Sequence, residues 1–181
     1  MARASSLRVL AAGLVLALGG AAAMAQTGTA PAPFPTQVFK SWALDCLIPK
    51  TGSNAGTRVC FIHHEARATA DPKLVAARAV IRHSGPERKL MLIVELPPNT
   101  VQAGGATVAI DGGPPEAVAI AGCIPQFCYG ALELTPALQT AVKVGHEMAV
   151  GFTPKDHAAL TIPVPLAGVT AALAALEQTG S

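Results

Sequence analysis

The chain has 181 residues, 51% of them hydrophobic and 13% charged, with a formal net charge of +2 at pH 7. Arg3 and Arg8 supply that excess, and the residues after position 25 carry eleven basic and eleven acidic side chains. A neutral chain of about 156 residues is the size of one domain. It lacks the positive surface that binding to nucleic acid or to an anionic membrane requires.

The first 25 residues have the pattern of a secretory signal peptide. The two arginines precede a charge-free run, Val9–Ala22, and Ala23-Met24-Ala25 offers the small-x-small motif that signal peptidase cleaves. A transmembrane anchor is the alternative, but glycines and alanines dilute the run below what a spanning helix needs. We therefore predict a signal peptide cleaved after residue 25, and no other apolar stretch is long enough to span a membrane.

The next residues, 26–35 (QTGTAPAPFP), are predicted to be a flexible leader rich in proline and alanine. Residues 36–181 are predicted to form a single domain, because no interior linker or repeat interrupts them. Short strand patterns separated by glycine and proline indicate an all-β sandwich or barrel.

The first predicted strand is Val38–Cys46, whose alternation would put Val38, Trp42, Leu44 and Cys46 on one face, with Trp42 in the core. The second, Arg58–Glu65, is expected to pair with it in antiparallel fashion.

Two hairpins are predicted next. The first joins Val75–Arg82 to Lys89–Leu96, and the nearly continuous apolar sequence of the latter predicts a central strand buried on both faces. The second joins Ala106–Ile110 to Glu116–Ile120 through a turn rich in glycine and proline. The only basic patch of note, Arg78, Arg82, Arg88 and Lys89 with Glu87 among them, is interpreted as a solvated hairpin.

Further strands are predicted at Tyr129–Leu134, Glu147–Phe152 and Leu160–Val164, together with two short helices. The first helix has Thr135 as N-cap and Pro136 at its first position, and Gly145 ends it. The second, Gly168–Glu177, lies near the C-terminus and has Val169, Leu173 and Leu176 along one stripe.

The four cysteines fall into two local pairs, which predict disulfides Cys46–Cys60 and Cys123–Cys128 in an exported protein. A catalytic disulfide would favour two intervening residues at a helix N-terminus, whereas four residues including a proline separate Cys123 from Cys128. Both bridges are therefore interpreted as structural, and the chain-entropy model gives them about 3 and about 2 kcal/mol.

Other chemistry has little support in the sequence. His63 and His64 are adjacent on a predicted strand, so they point to opposite faces, and we expect one to be exposed and the other packed or hydrogen-bonded. No zinc-ligand spacing and no G-x-S-x-G nucleophile motif is present. We predict no catalytic residue, no metal site and no cofactor; a ligand-binding site cannot be assigned.

Four segments follow one another in a recognisable order: Trp42–Cys46 with Cys60 following, Val94–Thr100 leading to Ile110–Gly113, the pair Cys123 and Cys128, and Pro165–Leu173. Together they resemble the invasion-associated locus B (IalB) family of exported alphaproteobacterial proteins. The resemblance implies an immunoglobulin-like β-sandwich, a periplasmic or surface location and, in pathogenic members, a link to host-cell invasion. It carries no catalytic residue over to this chain.

Three hypotheses for function follow. The first is an exported, non-enzymatic envelope protein, periplasmic, surface-associated or secreted, that acts through contacts with an envelope or host-cell protein. The second is a periplasmic carrier or binding module with a small-ligand pocket between its sheets. The third, a thiol oxidoreductase, requires a reducible Cys123–Cys128 bridge.

Overall fold

The structure is a computed structural model that describes residues 34–67, 75–155 and 157–180. The predicted signal peptide and all but the last two residues of the predicted leader lie outside the described residues. Within the described part, the chain forms antiparallel strands in two sheets, with two α-helices.

The larger sheet has seven strands, and its order is that of a meander extended by one later hairpin. Its strands, listed in spatial order, are β1 (Gln37–Phe39), β2 (Trp42–Leu47), β3 (Val59–Arg67), β4 (Val75–Ser84), β5 (Lys89–Leu96), β9 (Cys128–Glu133) and β8 (Ile120–Cys123).

The smaller sheet has four strands, which in spatial order are β11 (Leu160–Pro165), β10 (Glu147–Phe152), β6 (Ala106–Ile110) and β7 (Glu116–Val118). The helices are α1 (Pro136–Val144) and α2 (Val169–Gln178), and a single 3₁₀ turn covers Gln102–Gly104. Apolar side chains of both sheets and of both helices form one core. The β-sandwich with two helices, one near the C-terminus, is confirmed.

The predicted first strand is in fact a tight hairpin. Lys40 adopts a positive φ of 53°, and β1 folds back on β2 so that Phe39 lies opposite Trp42. Val38 is therefore not on the buried face with Trp42 and Leu44; it is 72% exposed. The prediction of one continuous strand is wrong because periodicity alone does not register a two-residue turn without glycine or asparagine.

This hairpin is held by the segment that joins β11 to α2. Trp42 is fully buried, and its indole Nε1 donates to the carbonyl oxygen of Pro165 at 2.9 Å. The Ser41 amide donates to the carbonyl oxygen of Ala167 at 3.1 Å. Gly168, with a φ of +95°, lies so close to the turn that a Cβ there would overlap the carbonyl oxygen of Phe39. The first hairpin, the smaller sheet and α2 therefore meet at one junction.

Both helices begin as the sequence predicts. The Thr135 hydroxyl accepts from the Leu138 amide at 3.3 Å, and Pro136 opens α1. In α2 the predicted stripe of Val169, Leu173 and Leu176 is buried. Gly145 has an ordinary φ of −70°, and a Cβ there would lie 2.7 Å from the Ile110 side chain. Close packing rather than backbone conformation therefore explains this glycine.

Strand β5 is central in the larger sheet, but only one of its faces is buried. Leu90, Leu92, Val94 and Leu96 point into the core, whereas the alternate residues are half-buried or exposed. The prediction of burial on both faces is wrong because the smaller sheet and the helices pack against only one side of the larger sheet.

The predicted strand Glu116–Ile120 is also divided. Glu116–Val118 pairs with β6 in the smaller sheet, and after Ala119 the chain enters the larger sheet as β8, which pairs with β9. The sequence pattern does not predict β8, because its four residues are too few for a periodicity to show.

The junction at Gly168 predicts an unusually costly substitution. We expect Gly168→Ala to lower the free energy of unfolding by about 3 kcal/mol or more, because it combines a left-handed backbone with a clash against the Phe39 carbonyl. Gly85→Ala is the matched control, since Gly85 has a φ of +71° and open space around it; its expected cost is about 1 kcal/mol. Urea denaturation measures both losses. Equal losses of unfolding free energy in the two variants would show that the close approach of Gly168 to the Phe39 carbonyl oxygen does not add to the cost.

Candidate interaction surface

The two disulfides join residues that face each other across antiparallel strand pairs. Cys46 lies opposite Cys60 in β2–β3, and Cys123 lies opposite Cys128 in β8–β9. No described cysteine is free. The first bridge closes the long loop between β2 and β3, and the second closes the short loop that leads into β9. Both bridges therefore fix loops at the margin of the larger sheet.

The side of the larger sheet that faces away from the core is here called the open face. Its middle row runs across five strands in register as Ala43, His63, Val80, Ile93 and Ala131. Of these only Val80 is buried, and the others are half-buried or exposed. Solvent therefore reaches part of a largely apolar row of side chains in the centre of the larger sheet.

The next row of the open face carries charges of alternating sign. Glu65, Arg78, Glu95 and Tyr129 lie side by side in register across four strands. Arg78 Nη1 is 3.1 Å from the Glu95 carboxylate, and Arg78 Nε is 3.9 Å from that of Glu65. The Arg78 guanidinium also lies over the Phe61 ring, 5.5 Å from its centroid.

These contacts do not use all the hydrogen-bond donors of Arg78. Its Nε is buried and, within the described residues, has no hydrogen-bond partner, because 3.9 Å is too long for a hydrogen bond. That buried atom is closed to a partner, but the Arg78 side chain as a whole is 25% exposed. A guanidinium has five N–H donors in a planar fork, so its exposed edge retains capacity to bind a further acceptor.

A second polar group lies at the β2 side of the open face. His63 Nε2 is 2.8 Å from Asp45 Oδ2, and the Thr36 hydroxyl donates to Asp45 Oδ1. Burial raises the pKa of Asp45, but the hydrogen bonds from Thr36 and His63 outweigh it and hold the pKa below its ordinary value of 3.8.

The two histidines point to opposite faces of β3, as predicted, but neither is fully exposed. His64 faces inward, where its Nδ1 is 2.6 Å from the carbonyl oxygen of Ser41 and its ring is 6.1 Å from that of Trp42. It therefore supports the turn of the first hairpin. His63 is hydrogen-bonded to Asp45, so the expectation of one exposed histidine is wrong.

The Asp45–His63 pair does not form part of a hydrolytic triad in the described residues. A triad needs a hydroxyl or thiol on the second ring nitrogen, whereas His63 Nδ1 is buried and has no hydrogen-bond partner there. Nor do three or more histidine, cysteine, aspartate or glutamate side chains of the described residues cluster in a way that could hold a metal ion.

An apolar and aromatic group adjoins the open face at the second disulfide. The loop between Cys123 and Cys128 is closed by a hydrogen bond from the Ile124 amide to the Phe127 carbonyl oxygen, at 2.9 Å. Phe127 and Tyr129 contact edge to face with ring centroids 6.2 Å apart. Ile124 is 42% and Tyr129 37% exposed.

A cleft of about 400 Å³ lies between this loop, the Pro97-Pro98 turn and the charged row. Phe127 lines it on one side, and Arg78 and Glu95 line it on the other. Aromatic side chains and arginine are the residues that most often anchor protein–protein contacts. The open face therefore has an apolar centre, a partly exposed arginine (Arg78) and an aromatic pair beside a cleft.

The described part of the chain contains no helix long and apolar enough to cross a membrane.

Comparisons with known proteins converge on one family. The sequence model of the family described as invasion associated locus B (IalB) protein matches residues 42–177. Among solved structures, the crystal structure of invasion associated protein B from Bartonella henselae superposes with a TM-score of 0.68 at 18% identity, covering 81% of this chain and 97% of that one. At this identity the likeness establishes the fold. A comparison with curated protein sequences finds no match.

The lowered pKa of Asp45 predicts how stability depends on pH. Because the pKa is lower in the folded state, the charged carboxylate stabilises the fold above its ordinary pKa of 3.8, and this contribution is lost as the pH falls through the lowered value. We expect the free energy of unfolding of wild type to exceed that of Asp45→Asn by about 1 kcal/mol or less near pH 5, because the Asp45 carboxylate is partly exposed.

The measurement is urea denaturation of both proteins between pH 5 and about pH 2.5. The advantage of wild type should shrink across this range, and Asp111, whose pKa is also lowered, is common to both proteins and cancels. A difference that stays constant with pH would contradict a role for the Asp45 charge.

Proposed function

This chain belongs to the invasion associated locus B family, and on that premise we propose that it is an exported, non-enzymatic envelope protein that acts by protein–protein contact through its open face. The partner is an envelope or host-cell protein, and the location is the periplasm or the cell surface. The observation that carries the proposal is the solvent-accessible apolar row of the larger sheet, flanked by Arg78 and by the aromatic pair Phe127 and Tyr129.

Export is supported by two independent features. The N-terminal sequence has the arginine, apolar and small-residue segments of a signal peptide. All four cysteines are paired in disulfides, which persist in oxidising compartments such as the periplasm.

A contact role, rather than a catalytic one, is supported by the chemistry of the open face. Its Asp45–His63 pair lacks a nucleophile in the described residues. Its charges instead lie around apolar side chains, as a polar rim lies around the core of a protein interface. The exposed part of the Arg78 guanidinium, which is 25% accessible as a side chain, offers a partner a directed hydrogen bond beside the apolar row.

The second hypothesis, a carrier with a pocket between the sheets, has less support. The space between the sheets is occupied by large, fully buried side chains, among them Trp42, Leu92 and Met148. A thermal-shift screen against lipids and sugars tests it, since a ligand raises the unfolding temperature only by binding the folded state. A rise of several degrees with one ligand class would favour the carrier.

The contact proposal is tested by photo-cross-linking from a benzoylphenylalanine placed at Tyr129, an aromatic position on the open face. The matched control carries the same group at Val144, which is 72% exposed at the end of α1 and away from that face. We expect a discrete adduct with one envelope or host-cell protein from position 129 only. The same adducts from both positions, or none above background from position 129, would contradict the proposal.

A further inference from the structure

The basic patch noted in the sequence is divided by the fold. Arg78 is engaged with Glu65 and Glu95 on the open face, and Lys89 is paired with Glu87 and Glu133. The other two arginines, Arg82 and Arg88, lie at the β4–β5 hairpin beside a separate cleft of about 560 Å³.

A third arginine reaches this cleft from a distant part of the sequence. Arg58 precedes β3 and lies two residues before Cys60, so the Cys46–Cys60 disulfide fixes the backbone from which it projects. The side chains that line the cleft include Arg58, Arg82 and Arg88 together with polar groups of Asn54, Thr57 and Ser84. Among the described residues that line it there is no aspartate or glutamate.

Two of the arginines already donate to oxygen acceptors at this cleft. Arg58 donates to the carbonyl oxygen of Thr179, and Arg88 Nη1 donates to that of Gly180 at 3.1 Å. His83 holds the Arg88 backbone, since its Nδ1 is 2.8 Å from the Arg88 carbonyl oxygen. These contacts hold the two guanidinium groups in place, which lowers the entropy lost when a ligand binds.

Arg82 has no such partner. It is half-buried and, within the described residues, takes part in no hydrogen bond or ion pair of the kinds found for Arg58 and Arg88. Two carboxylates near this group of residues already have partners. That of Glu177 is 3.1 Å from His83 Nε2, and Glu87, the residue before Arg88, is paired with Lys89. Within the described residues, three positive charges therefore line one cleft with little compensation, an arrangement that is costly unless an anion binds.

We propose that the cleft formed by Arg58, Arg82 and Arg88 is a binding site for a phosphate group. Guanidinium groups bind phosphate through paired N–H donors, and this geometry gives specificity as well as affinity. The volume exceeds that of one phosphate, so the site accommodates a phosphate carried on a larger ligand. Strand alternation puts Arg82 on the same side of β4 as Arg78 and Val80, at the hairpin end of the open face. None of the residues proposed above to contact the partner lines this cleft, and the site does not depend on the function proposed above.

The test is isothermal titration of the full folded protein with pyrophosphate at constant ionic strength, and co-sedimentation with phosphatidylcholine vesicles that contain or lack phosphatidic acid. Arg82→Gln is the main variant, because the Arg82 side chain makes no hydrogen bond or ion pair within the described residues. Arg58→Gln is the second, and Lys155→Gln is the control, since it removes the same charge from an exposed position elsewhere.

We expect pyrophosphate binding that weakens at least about tenfold in Arg82→Gln and in Arg58→Gln, because hydrogen bonds to charged groups are lost, and that is unchanged in Lys155→Gln. Vesicle binding with the same dependence on Arg82 would identify a lipid headgroup as the source of the phosphate. Binding of pyrophosphate alone would indicate a soluble phosphate ester. Absence of binding to both probes, or equal weakening in Arg82→Gln and Lys155→Gln, would overturn the proposal.

Discussion

The hydrogen bond from the Trp42 indole to the Pro165 carbonyl oxygen is the interaction on which the arrangement of this fold depends. Trp42 begins the second strand of the larger sheet, and Pro165 ends the last strand of the smaller one. Their contact therefore holds the two sheets together at the point where α2 begins. Gly168 permits it, because only a residue without a Cβ allows the first hairpin turn to approach the start of that helix.

This junction explains why the two sides of the larger sheet differ. The smaller sheet and α2 pack on the side that carries Trp42, so that side becomes the core. The opposite side stays accessible across most of its strands and carries the Arg78 row and the Tyr129 anchor. The fold separates the charged side chains into two groups. Those in the Arg78 row form ion pairs on the open face, whereas the arginines of the cleft beside the first disulfide form no ion pair with a carboxylate of the described residues.

Much of the fold could be predicted because its determinants are local. Thr135 caps a helix that a proline opens, and neighbouring cysteines pair across adjacent strands. Some of the wrong predictions have causes that lie far away in the sequence. The turn at Lys40 is set by its approach to Gly168, which lies more than a hundred residues later. The candidate sites also depend on residues that are distant in sequence. No sequence pattern predicts that Arg58 lies beside the β4–β5 hairpin, or which face of a strand is left uncovered.

The most direct test of the junction uses Trp42, which is the single tryptophan of the chain, as its own probe. Urea unfolding would be followed in parallel by Trp42 fluorescence and by far-ultraviolet circular dichroism. If the junction holds the sheets and α2 as one unit, the two transitions coincide in midpoint and slope, as a two-state process requires. A fluorescence transition at distinctly lower urea than the loss of β-structure would show that the junction opens first and would contradict this account.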